Sequence, residues 1–114
     1  MRICRLVLVV LLLSALPAAA AEPKDCLTLS ARIDNDVSSP SGVRVTVSGR
    51  NHCSEDLDGH DARFKVLAIG PTGSTITTQN GRFGGSISPH TEVETKVFVA
   101  CDPDRVRFVR AEHR

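Results

Sequence analysis

Tryptophan and tyrosine are absent, and aromatic residues make up only 4% of the 114-residue chain. Ligand platforms and interface hot spots lean on those side chains, so a carbohydrate site built on exposed rings is not expected. Charge of one sign is also lacking, with 14 Lys+Arg against 13 Asp+Glu. Phosphate backbones need a basic excess, which sets nucleic acid aside as the main partner. The chain has no G-x-S-x-G, no H-E-x-x-H and no C-x-x-C. The common signatures of serine hydrolases, zinc proteases and redox thiols are therefore missing. Beyond the first residues, no stretch carries a helical hydrophobic period.

What is present begins with an export signal. Arg2 and Arg5 precede an unbroken apolar run at 6–13, and Ala18 to Ala21 supply small-residue cleavage sites. The apolar stretch ends short of the ~20 residues that span a bilayer. Residues 1–21 are therefore expected to be a cleaved signal peptide, and 22–114 a single domain in the periplasm or secreted. Losing Arg2 and Arg5 tips the balance to a slight acidic excess. No membrane span is expected in the mature chain. A domain this small buries only ~60–65% of its unfolded surface, so its core is thin.

The mature chain alternates apolar and polar residues with a period of two. Leu27, Leu29, Ala31 and Ile33 alternate with polar neighbours, as do Val43, Val45 and Val47, then Phe64, Val66 and Ala68, and later Val93, Thr95, Val97 and Val99. Turn clusters separate them at 35–42, 70–73 and 102–104. Asn80-Gly81 reads as a hairpin turn closing a Thr-rich strand at 74–79, and Gly49 as a bulge or bend. A weaker strand is expected at 82–88. The pattern predicts an all-β fold: an antiparallel immunoglobulin-like β-sandwich of about seven short strands. A small barrel is the second architecture. The final two strands are expected to form a hairpin. Val97 would face Phe108 and Val99 would face Val106 on the core side, with Phe98 and Lys96 opposite Arg107 and Val109 outside.

Cys4 leaves with the signal, and Cys26, Cys53 and Cys101 remain. Exported domains with thin cores use disulfides. Strict up-and-down alternation places all three cysteines at one pole, with Cys53 and Cys101 sharing the inward phase of their strands. A Cys53–Cys101 disulfide with Cys26 spare is the first expectation, and Cys26–Cys53 the second. The spare thiol allows a monomer or a disulfide-linked dimer.

The densest polar run is 52–61. His52, Cys53 and His60 are weak metal candidates, because adjacent strand residues point to opposite faces. Ser54, Asp56, Asp58 and Gly59 imitate the start of a calcium loop, but Lys65 stands where its bidentate glutamate belongs. The expectation is a solvated acidic loop, with no metal, no cofactor and no catalytic residue. A binding face is expected at the C-terminus instead. There Lys96, Phe98, Arg105, Arg107 and Val109 would form a basic and apolar surface, set against the simpler role of charges that guard a sheet edge.

The run Phe64-Lys65-Val66-Leu67-Ala68-Ile69-Gly70-Pro71-Thr72-Gly73, followed by Ile87-Ser88-Pro89 and the alternating strand at 93–99, resembles the FxLYD family of extracytoplasmic domains across about residues 27–110. Leu67-Ala68-Ile69 stands where that family has Leu-Tyr-Asp. The resemblance implies an immunoglobulin-like, non-enzymatic accessory domain, and it carries over no catalytic or binding residue. Together these readings predict an exported, non-enzymatic binding protein that contacts a protein or envelope component. A small secreted enzyme inhibitor and a periplasmic metal- or thiol-handling protein are the alternatives.

Overall fold

The computed structural model describes residues 22–114, and for residues 35–39 the backbone alone. The expected signal peptide and Cys4 lie outside the described residues. A single helical turn, α1 (Pro23–Cys26), leads into the strands. These are β1 (Leu27–Ser39), β2 (Gly42–Asn51), β3 (Leu57–Asp58), β4 (Arg63–Ile69), β5 (Thr75–Arg82), β6 (Ser86–Ile87), β7 (Glu92–Ala100) and β8 (Phe108–His113). Short 3-10 turns occupy Gly59–Asp61 and Pro103–Arg105. Among the described residues, no helix is long and apolar enough to cross a membrane.

The strands form two antiparallel three-stranded sheets, ordered β1-β2-β7 and β5-β4-β8, and the small pair β3-β6. The period-two pattern is what makes this a sandwich. Val43, Val45 and Val47 on the central strand β2 face Phe64, Val66 and Ala68 on the central strand β4 within one buried cluster. Full burial of side chains of this size contributes about 1.5–3 kcal/mol each. Leu57, Phe83 and Ile87 join that cluster at the β3-β6 end, where the Phe64 and Phe83 rings meet at 5.2 Å. Strands β1 and β8 lie over one another at one edge of the sandwich, and β7 and β5 at the other.

Three local expectations are corrected. Asn80-Gly81 is not a turn. It lies inside β5, paired with Lys65 and Phe64 of β4, and the β4–β5 hairpin closes at 70–74, at the turn expected over 70–73. There Gly73 has φ +86°, and Gly70 and Ser74 close the loop with a 2.9 Å backbone hydrogen bond. Gly81 lacks a side chain because the Phe64 ring fills that space. Gly49 is not a bulge, since it holds regular register with Leu29 and Val93. A Cβ there would press on the Phe83 ring and Leu27. The strand expected at 82–88 shrinks to the two residues of β6.

That shortening shifts the parity of everything after it. Without a full crossing at 82–88, β7 runs antiparallel to β2 and beside it. Its end therefore reaches the pole where β2 begins. Strand β8 pairs with β4, not β7, so the last two strands are not a hairpin and bridge the two sheets. The inward and outward faces of β8 are also exchanged. Val109 is buried, and Phe108 is 48% exposed.

Candidate binding face

Strand parity decides the cysteines. The β1–β2 ladder ends at Leu27 and Asn51, and the His52 amide extends it by donating to the Cys26 carbonyl at 2.9 Å. This brings Cys26 and Cys53 to a Cα separation of 5.3 Å, and they form the disulfide. Cys101 follows β7 at the opposite pole and is free. The expected Cys53–Cys101 bond is thus replaced by the alternative pairing, and the spare thiol is Cys101, not Cys26. Burial pushes the Cys101 thiol up from its ordinary range. A hydrogen bond with the Val43 backbone opposes that shift, and the Asp102 charge adds to it.

The polar run at 52–61 is organised by backbone satisfaction. Asn51 is fully buried. Its side-chain amide donates to the Glu55 carbonyl at 2.8 Å and to the Ile87 carbonyl at 3.1 Å, and its oxygen accepts from the Cys53 amide at 2.9 Å. One buried amide thus fixes the loop, β6 and the disulfide together, a role invisible in the alternation pattern. Asp58 caps the following 3-10 turn by accepting from the His60 amide and ring at 2.9 and 3.1 Å. That backbone hydrogen bond foremost, then the ring, holds the Asp58 carboxyl below its usual range. Among the weak metal candidates His52, Cys53 and His60, the Cys53 sulfur is committed to the disulfide. Among the described residues no three His, Cys, Asp or Glu side chains converge on a metal-sized point.

The basic and apolar face expected from Lys96, Phe98, Arg105, Arg107 and Val109 is not one surface. Lys96 and Phe98 lie on the outside of β1-β2-β7, whereas β8 belongs to the other sheet at the other edge. Lys96 is engaged, bonding Asp34 at 3.3 Å and the Thr46 hydroxyl at 2.9 Å. Phe98 lies over Gly42, which has no room for a Cβ beneath the ring. Arg105 closes the 3-10 turn, and the Arg107 amide donates to the Ile69 carbonyl at 2.7 Å. Val109 is core.

The structure assembles a different face, the outside of β5-β4-β8. On β4, Phe64, Val66 and Ala68 point inward, so Arg63, Lys65, Leu67 and Ile69 point outward. The cross-strand partners of these outward residues are Arg82, Asn80, Thr78 and Thr75 on β5, and Glu112, Arg110 and Phe108 on β8. At one end the face is apolar. Leu67 and Ile69 are buried although they point away from the core, while Phe108 and Ile76 remain 48% and 38% exposed. Ile76 is the extra residue where the β4–β5 register shifts, and its side chain reaches over Gly70. The other end is cationic. Among the described residues the outward side-chain charges of these rows are Arg63, Lys65, Arg82, Arg110 and, beside Arg63, Arg114, against the one acidic side chain Glu112, which Arg110 holds at 3.1 Å. The readable signal for this face was the even and odd phase of 63–69, once 70–74 is taken as the hairpin turn.

Compared with known proteins, the chain matches no family model, no curated protein and no solved structure.

Proposed function

We propose that this chain is a non-enzymatic, exported binding module that contacts a component of the cell envelope through the outside of β5-β4-β8. The carrying observation is the pairing of exposed Phe108 and Ile76 with an adjoining row of cations on one sheet face. On the opposite face two of the cations are matched within the fold, Arg32 with Glu94 at 3.7 Å and Lys96 with Asp34 at 3.3 Å. The intramolecular disulfide fits an oxidising compartment. The resemblance of 64–73, 87–89 and 93–99 to the FxLYD family in sequence implies the same class of accessory domain.

The test is a photo-crosslinking amino acid placed at Phe108 and, separately, at Phe98, in protein exported to a bacterial envelope. Adducts are expected from position 108 and not from 98. Equal yields from both positions, or none from 108, would reject this face.

A further inference from the structure

Arg82, Arg63 and Arg114 occupy three successive cross-strand places at one end of β5-β4-β8. Arg63 pairs with Arg82, and the Arg114 amide donates to the Arg63 carbonyl at 3.1 Å. Adjacent strands lie about 4.8 Å apart, so three guanidinium stems start within roughly 10 Å of one another. Like charges directly opposite on a sheet are destabilising. Among the described residues none of the three lies within ion-pair distance of an Asp or Glu side chain, whereas Arg32, Lys96 and Arg110 all do. Asp61 lines the adjoining recess with Arg63 and Arg114, together with Glu22, Lys24 and His113, and makes no ion pair with either arginine. The three arginines line one shallow depression with Asn80 and Gly81. Lys65 stands in the next row, between Asn80 and Glu112.

A repulsive row left unneutralised by its own fold is suited to an outside anion. The guanidinium fork matches tetrahedral oxyanions, with two parallel N–H donors per contact. One such oxyanion bridges two neighbouring arginines, and the third is then free for a second negative group. We infer that the Arg82–Arg63–Arg114 row is a binding site for closely spaced phosphate-type oxyanions, of which a diphosphate is the simplest example. This deepens the reading of β5-β4-β8 as the contact face and rests on it.

The test uses the mature chain at low salt. Inorganic diphosphate is titrated in calorimetrically, and the protein is separately sedimented with phosphatidylglycerol vesicles. Saturable diphosphate binding is expected, weakening as salt rises. Arg63→Gln should weaken it roughly tenfold or more, while Arg44→Gln, an exposed arginine on the other sheet, should leave it unchanged. Arg63→Gln should melt no lower than the parent, because it relieves repulsion, so a lost signal would not reflect misfolding. Vesicle binding that requires Arg63 would name a lipid headgroup as the source of the oxyanion, and diphosphate binding without it would name a soluble phosphorylated ligand. No saturable diphosphate heat, or equal loss in both variants, overturns the site. Crosslinks at position 108 would in that case still stand for the wider face, and their absence alongside diphosphate binding would reject only the face.

Discussion

At the residue scale, one side chain carries more of the fold than its type suggests. Asn51 satisfies two carbonyls and one amide in a buried position. Asn51→Ala leaves those groups without partners, and each buried orphan costs about 1–3 kcal/mol. We expect a loss of about 3 kcal/mol in urea unfolding, more than for any surface polar residue. Cys53→Ser opens a 27-residue separation and should cost about 3–4 kcal/mol in the chain-entropy account. The effect should equal that of Cys26→Ser, whereas Cys101→Ser should change little. Cys101 should be the single thiol that alkylates without reductant. Because burial raises its pKa, less of it is thiolate at neutral pH. Its iodoacetamide rate should therefore lie below that of free cysteine at pH 7, and climb toward it as pH rises through the raised value.

At the element scale, the strands themselves were legible in the sequence and their partners were not. Alternation in 27–33, 43–47, 64–68 and 93–99 is a direct imprint of one buried face, and each stretch is a strand in the structure. Connectivity depends instead on how many times the chain crosses the sandwich. One false crossing at 82–88 reversed the direction of β7, moved Cys101 to the wrong pole and exchanged the faces of β8. Asn80-Gly81 misled for a related reason: its local turn preference is overridden by the room that Gly81 gives the Phe64 ring. Backbone amide exchange separates the two arrangements. The Gly81 amide, opposite Phe64 of β4, should show the protection of a paired strand position, and the Thr72 amide in the turn should exchange quickly. Gly73→Ala, at φ +86°, should cost about 1 kcal/mol through the hairpin turn alone.

At the scale of the whole molecule, the two sheet surfaces differ in kind. The outside of β1-β2-β7 pairs Arg32 with Glu94 and Lys96 with Asp34, and Phe98, 43% exposed, covers Gly42. The outside of β5-β4-β8 sorts its residues by end, with apolar side chains at one end and, among the described residues, arginines without ion pairs at the other. Phe108→Asp should accordingly leave the melting temperature within a few degrees of the parent while removing crosslinks across that face, because Phe108 packs outside the central cluster. The candidate face was out of reach of composition, since a near-zero net charge conceals charges sorted onto one layer.

The bond between the His113 ring and the Leu27 carbonyl, 2.8 Å long, joins the last strand to the first. Glu22, Pro23 and Arg114 line one recess beside it, so residues 22 and 114 lie close together. A short linker from Arg114 to Glu22, with new ends opened at the exposed Pro40-Ser41 tip, should give a circular permutant that folds and keeps the Cys26–Cys53 bond. Its new termini would emerge at the Cys101 pole, far from the arginine row. The site could then be held away from a surface or a fusion partner simply by choosing where the chain is cut.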